Sequence, residues 1–358
     1  MFYREAGQYK TTYAADMAIF PIRQDRYGVA VILIVAFVLI PAFGNQFFLN
    51  TMMIPFLTLS LGAIGLNLLT GYTGLLSLGS GAFMGVGAYA CYKLETIFPQ
   101  VNILVWIIVS GVFSALVGVV FGLPSLRIKG FYLAVATLAA QFFLQWCFAR
   151  VPWLVNFNDS GAIEVPTETL FGLAVTGPTA TPVTRYLVVL TIVAAMTWIA
   201  SNIVRGRIGR MWMAVRDMDI AAELIGIRLF RAKLLAFAVS SFMIGVAGAL
   251  MVFLWLGAAE AEAFDIDLSF QLLFIIIIGG LGSIVGAFFG AAIIHLMPIA
   301  LRALPALVGL SIDAATIDQL TFMITGLLII LFLIVEPHGL ARLWQTTKQK
   351  LRAWPFPY

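Results

Sequence analysis

Residues 205–233 read RGRIGRMWMAVRDMDIAAELIGIRLFRAK, the only strongly charged stretch of the chain, and apolar runs of membrane length flank it at 186–204 and 234–259. Its seven basic residues, Arg205, Arg207, Arg210, Arg216, Arg228, Arg231 and Lys233, assign it to the cytoplasm by the positive-inside rule. Its interior has a helix pattern. After Arg216, Asp217 or Asp219 can accept from the free N–H groups at a helix start, Ile220, Ala221, Leu224 and Ile225 then share one face, and Gly226 is a stop. Such a segment is shaped to touch a soluble protein; the alternative is an anchoring loop whose arginines meet anionic lipid headgroups.

Composition extends this reading to the whole chain. With 62% hydrophobic and 11% charged residues and a mean hydropathy of +1.02, the sequence specifies an all-α polytopic membrane protein and excludes an ordinary soluble globule. Stretches without Asp, Glu, Lys or Arg cover 28–92, 96–126, 130–149, 186–204, 234–259, 268–301 and 319–335. One crossing takes about 20 residues, so the first stretch holds about three helices, near 28–43, 51–69 and 72–92, and the total is about 8–10 segments. Residues 1–27 form a polar leader with Arg4, Lys10, Arg23 and Arg26 and no cleavable-signal pattern, which keeps the N-terminus inside. Residues 28–340 are the membrane domain and 341–358 a tail.

Counting crossings puts the loop at Arg127 and Lys129, the 205–233 loop and the tail with Arg342, Lys348, Lys350 and Arg352 in the cytoplasm. The opposite side receives 150–184, with Asp159, Glu164 and Glu168, and 258–267, with Glu260, Glu262, Asp265 and Asp267. The net charge of +4 therefore reflects topology and not nucleic-acid binding. Cys91 and Cys147 sit in or beside apolar segments and read as packing residues, outside any disulfide framework or metal site. His295 also reads as packing, and His338 beside Pro337 as part of a helix stop. Neither a catalytic constellation nor metal-ligand spacing falls at membrane depth.

With 258–267 outside and the tail inside, residues 268–301 have to enter and return. FQLLFIIIIGGLGSIVGAFFGAAIIHLMPIAL (270–301) is broken at Gly279, Gly280 and Gly282 and stopped again at Pro298, which predicts two short helices meeting at a re-entrant glycine turn. One long kinked helix is the alternative. The stretch GYTGLLSLGSGAFMGVGAY (71–89), with turn glycines Gly71, Gly74 and Gly79, echoes this region: LGSGAF at 78–83 is matched by LGS at 281–283 and GAF at 286–288. With one copy running outward and the other entering from outside, the echo predicts an inverted internal repeat, with close helix packing through small residues as the competing explanation.

Together these segments resemble the permease subunits of bacterial ABC importers for branched-chain amino acids, specifically the M-type subunit of the leucine-isoleucine-valine system and its relatives. The resemblance rests on GLNLLTGYTGLLSLGSGAF (65–83), LRIKGFYLAVATLA (126–139), GRMWMAVRDMDIAAELIGI (209–227), KLLAFAVSSFMIGVAGAL (233–250), IIGGLGSIVGAFFGA (277–291) and EPHGL (336–340), and covers nearly all of residues 50–342. Two departures concern the ligand: Leu-Gly-Ser at 78–80 where the family commonly has Leu-Gly-His, and NFNDSGAIEVP (156–166) where a glycine-rich threonine motif is more usual.

The resemblance implies a cobalamin-importer-like (type II) ABC permease fold in the bacterial inner membrane, with both termini cytoplasmic. The implied assembly adds a homologous second permease, two ATP-binding subunits and a periplasmic solute-binding protein. No G-x-x-x-x-G-K-[ST] loop is present, so the chain binds no cofactor of its own and is no ATPase; ATP and Mg belong to the partners. Residues implied to couple to the ATPase are Gly209, Arg210, Arg216, Asp217, Asp219, Ala221, Ala222, Glu223, Leu224 and Gly226. The solute is a branched-chain amino acid or a relative such as urea, a short amide or an aromatic or other carboxylate. For its path, Thr137, Gln141 and Gln145 lie at i, i+4 and i+8 and project inward, either lining the route or bonding neighbouring helices. Asn67, Ser77 and Ser80 carry the same two readings. An ion-coupled secondary transporter is the competing class, and it calls for intramembrane charges that the apolar stretches lack.

Overall fold

Apolar segments of this length satisfy their backbone groups away from water only by coiling, and each becomes a helix. The computed structural model describes residues 11–12, 23–126, 132–158, 160–170, 172–177, 179–308, 313–335 and 339–353. Most of the leader, Arg127 and Lys129, Asp159, Pro337 and His338, and residues 354–358 lie outside them. In chain order, α1 (Arg23–Ile34) continues through a π-helical turn (Val35–Leu39) to a last turn, Ile40–Phe43. A second π-helical turn (Phe48–Met53) leads into α2 (Ile54–Thr73), followed by α3 (Ser80–Ile97), α4 (Ile103–Ser125), α5 (Tyr132–Arg150) and α6 (Pro182–Arg205). Two short helices, α7 (Arg207–Asp217) and α8 (Asp219–Leu224), precede α9 (Leu229–Leu250), which a π-helical turn extends to Leu256. Last come α10 (Ile266–Gly279), α11 (Ile284–Val308), α12 (Ala314–Val335) and α13 (Gly339–Ala353).

Seven described helical stretches are long and apolar enough to cross a membrane, and a shorter apolar one spans Gln319–Phe332. The chain is thus a multi-pass, nearly all-helical membrane protein. α3 and α10 have 18 and 14 residues. At 1.5 Å per residue they measure about 27 and 21 Å, short of a hydrocarbon core of about 30 Å. At one end of the bundle β1 (Ile163–Glu164) pairs antiparallel with β4 (Ala258–Ala259), joining the two acidic loops, and β2 (Thr169–Leu170) pairs with β3 (Leu173–Ala174).

α9 is the axis of the bundle, packed on α2, α3 and α4. Small residues let the backbones meet: a Cβ on Gly87 would fall inside the Gly245 backbone, one on Gly248 inside the Met84 backbone, and one on Gly118 inside the Ser241 side chain. Contact order gives the directions. Gly62 faces Ala247 and Gly65 faces Ile244, so α2 and α9 are antiparallel; Gly62 also faces Leu272 and Gly71 faces Gly282, so α2 and α10 are parallel. Gly279 meets Gly286 and Gly290 meets Ile275, so α10 and α11 form an antiparallel pair about the turn 280–283.

Several sequence expectations are corrected. The third helix begins at Ser80, not 72, and runs to Ile97. α2 stops at Gly74, which is left-handed (φ 74°) with Leu75 N–H donating to Leu69 O at 3.2 Å and Gly74 N–H to Thr70 O at 3.1 Å, a Schellman closure, and residues 74–79 are not helical. Pro298 does not stop α11, which runs on to Val308; a proline costs a membrane helix one backbone bond and a local clash, which neighbouring helices absorb. The leader becomes helical at Arg23, before the expected boundary at 27, and the tail is the amphipathic helix α13.

Gly280 has φ 114° and ψ 119°, a backbone region that side chains rarely adopt. Strain there costs on the order of 1–3 kcal/mol. Gly280→Val should therefore lower the melting temperature of the detergent-purified chain, whereas Gly326→Ala, inside a helix where a Cβ meets nothing within 4 Å, should not lower it. Equal melting curves would contradict the turn.

Candidate functional site

The charged loop folds as two helices with opposite tasks. α7 turns Gly209, Trp212 and Val215 inward; Trp212 is fully buried and its indole Nε1–H donates to Ala232 O at 3.1 Å. A side chain at Gly209 would strike the Val204 backbone, so α7 folds tightly back against the end of α6. α8 has one buried contact, Ala222, which packs with Val215 and Ala232. Its remaining apolar side chains point away from the protein: Ile220 is 74% exposed, Leu224 83%, Ile225 76% and neighbouring Met218 71%. Gly226 (φ 92°) ends it. Exposed Asp219, Glu223 and Arg228 lie beside these side chains, so the surface is an apolar patch rimmed by charge, of the kind that meets another protein or a membrane surface.

The expected acidic cap is absent. Met218 occupies the N-cap of α8 with no side-chain cap bond, Asp219 lies inside its first turn, and Asp217 accepts from Arg216 Nε–H at 2.9 Å. Arg216 also reaches into the bundle, where Nη1–H donates to Gly71 O at 2.8 Å. A cleft of about 620 Å³ separates α8 from the end of α2, lined by Thr73, Gly74, Leu75, Arg216, Asp219 and Lys233 among others. Arg210, Ala221 and Glu223 are exposed.

Gly71, the acceptor of Arg216, abuts the α10–α11 turn. Asn67, one turn earlier on α2, clamps that turn: it accepts from Gly282 N–H at 2.9 Å and its Nδ2–H donates to Ser283 O at 2.8 Å. Arg216, α2 and the glycine turn thus form one continuous hydrogen-bonded path.

The third polar group lies where α3 begins inside the bundle. A helix start leaves several N–H groups free, and N-cap Gly79 has no side chain to meet them. Other helices supply acceptors: Leu78 N–H donates to Thr137 Oγ1 (3.0 Å), Gly81 N–H to Ser269 Oγ (2.8 Å) and Ala82 N–H to Gln141 Oε1 (2.7 Å). Gln141 also accepts from Ser269 Oγ at 3.0 Å and donates Nε2–H to Phe264 O at 2.7 Å. Thr137 and Gln141 are buried, while Gln145 is half-buried one turn further on. Ser77 Oγ accepts from Gly79 N–H at 3.5 Å, and Ser80 Oγ is buried without a partner among the described residues. Ser269 and Ser283 are members of these groups that sequence reasoning missed; Ser269, a lone hydroxyl at the head of an apolar run, was the available signal.

No solved structure matches the chain. The high-affinity branched-chain amino acid transport system permease proteins LivM of Salmonella typhimurium and Escherichia coli are each 27% identical to it over 303 residues, covering 77% of this chain and 66% of the relative. The match thus spans just under two thirds of those relatives' own length. Residues 48–333 match the family described as the permease component of branched-chain amino acid transport systems. These residues take in α2 to α11, most of α12 and all three polar groups, and the chain belongs to that family of transport permeases.

Proposed function

We propose that this chain is the membrane-spanning subunit of an ATP-driven importer of a branched-chain amino acid or a related small solute, with α8 as the element that receives the motor's stroke. The observation that carries this is the exposure of Ile220, Leu224, Ile225 and Met218 amid charged neighbours, on a helix held through Ala222 against α7, which buried Trp212 ties to the bundle. The proposed partners are a homologous second permease, two ATP-binding subunits that hold ATP and Mg and hydrolyse it, and a periplasmic binding protein that delivers and selects the solute. The proposed site is the bacterial inner membrane, with both termini and α8 on the cytoplasmic side.

The geometry supplies a mechanism. Closure of the ATP-binding subunits would displace α8 and α7 together, since Ala222, Val215 and Ala232 form one apolar knot. Arg216 would transmit the displacement to Gly71, and Asn67 to the glycine turn, so that α10 and α11 move with α2. The cleft beside Thr73 and Gly74 gives α8 room to travel.

A type II fold with an inverted repeat belongs to the same proposal, and its support comes from α2 and α9 rather than from the glycine echo. These helices cross antiparallel. Each ends at a left-handed glycine, Gly74 (φ 74°) or Gly257 (φ 78°), and passes through a segment without α-helix into a short helix, α3 or α10. The starts of α3 and α10 meet at Gly81 and Ser269. The echo between 78–83 and 281–288 instead joins segments whose incoming helices, α2 and α10, run the same way.

Reconstitution with the second permease, the two ATP-binding subunits and the binding protein tests the function: ATP-dependent accumulation of leucine, isoleucine or valine is expected. A sharper test is Asn67→Ala, which leaves Gly282 N–H and Ser283 O without their partner at a cost of about 1–3 kcal/mol each. Uptake should fall at least tenfold while the ATP-binding subunits still co-purify and hydrolyse ATP. Full uptake in this variant would remove the clamp from the mechanism.

A further inference from the structure

Helix α13 lies at the end of the bundle that also holds Arg216 and the glycine turn: a Cβ on Gly339 would sit 2.6 Å from Gly280 Cα and 2.8 Å from Ile278 O. Its sequence, GLARLWQTTKQKLRA, contains Arg342, Lys348, Lys350 and Arg352 and no acidic residue. Leu340, Trp344 and Thr347 follow one another on a single stripe at i, i+4 and i+7, and at 100° per residue Lys348 and Lys350 border that stripe about 80° to either side of Leu340. Trp344 packs edge-on to Phe289, with ring centroids 6.0 Å apart. Only part of the apolar side is covered: Trp344 is still 53% exposed and Leu343 42%.

A short helix with an uncovered aromatic and leucine flank, lysines at both margins and charge of one sign has the composition of a helix lying in a membrane interface. Its position agrees, because it follows directly on the apolar run of α12, at the depth where tryptophan and lysine side chains anchor. α8 differs in mixing acidic residues with its apolar ones, as suits a soluble protein. We propose that α13 is an interfacial helix that binds anionic phospholipid headgroups of the leaflet on that side, with Lys348 and Lys350 contacting the headgroups and Leu343 and Trp344 the acyl boundary. The proposal rests on the reading that this chain spans a bilayer with that end at the cytoplasmic leaflet. Through the Gly339–Gly280 contact, lipid held by α13 also holds the glycine turn that Asn67 clamps.

The test uses the purified full-length chain in nanodiscs containing brominated phosphatidylglycerol or brominated phosphatidylcholine at equal mole fraction. The Trp344 signal is isolated by subtracting the Trp344→Phe variant. Each basic residue near an anionic surface strengthens association about fivefold, so quenching of Trp344 should be at least twice as strong with the brominated anionic lipid. The excess should vanish in the Lys348→Glu/Lys350→Glu variant. Equal quenching by the two lipids, or a preference unaltered by charge reversal, would overturn the proposal, as would loss of quenching by both lipids once the ATP-binding subunits are added. The readout is independent of transport, so lipid preference in an assembly that moves no solute would sink the importer reading and leave this one standing.

Discussion

Leu224→Asp and Ile220→Asp are expected to abolish ATP-driven uptake while leaving the subunit folded and inserted. Both side chains stand in solvent in the isolated subunit, at 83% and 74% exposure, so a carboxylate there meets water and costs the fold almost nothing. Seated in a partner's cleft, the same carboxylate is desolvated without a counter-charge, at a cost of several kcal/mol. With each 1.4 kcal/mol worth tenfold in affinity, capture of the ATP-binding subunits should weaken by more than about a hundredfold. Ala222→Asp makes the opposing control. Ala222 is 2% exposed and packed with Val215 and Ala232, so a charge there breaks the loop itself and should lower the yield of folded protein. Pull-down of the ATP-binding subunits and uptake, both normalised to folded permease, separate the two cases; normal uptake by Leu224→Asp at normal expression would take α8 out of the coupling mechanism.

The elements that sequence reading located are those whose signal is one-dimensional. Long uncharged runs marked the spanning helices, and the basic loop marked one end of the bundle, because both follow from the cost of placing charge in hydrocarbon. What it missed depends on distant partners. Residues 71–79 carry turn glycines at Gly71, Gly74 and Gly79 among mostly apolar neighbours, and polarity alone does not say which of them ends a helix. The glycine that ends α2 is one of 32 in the chain; Gly74 takes a left-handed conformation while Gly87 and Gly248 stay helical and serve only to admit another backbone. Asp217 and Asp219 had the right chemistry for a cap, but Asp219 lies inside the first turn of α8 and Asp217 accepts from Arg216. The inward stripe of Thr137 and Gln141 was legible from its spacing. Its partners Phe264 and Ser269, 123 and 128 residues beyond Gln141, were not.

That junction gives the other large effect. Gln141→Leu carries no polar atom and is one atom shorter than glutamine, so its main effect is the loss of hydrogen bonding at this junction. Ala82 N–H and Phe264 O lose their only described partner, and Ser269 Oγ loses its acceptor. Polar bonds between membrane helices contribute about 1 kcal/mol each, and buried groups left unpaired cost somewhat more, so the total is roughly 3 kcal/mol. The start of α3 and the non-helical stretch 74–79 would loosen together, since both are fastened to α5. A melting temperature lower by several degrees in nanodiscs and a severalfold slower uptake are expected. Gln141→Glu would bury a carboxylate against Phe264 O without a counter-charge and should be at least as damaging as Gln141→Leu. Because Gln141 spends its polar atoms on other helices, the ratio of uptake rates for leucine and valine should not move. A changed ratio in a variant of undiminished stability would mean that this side chain touches the solute, and the junction would then be part of the path.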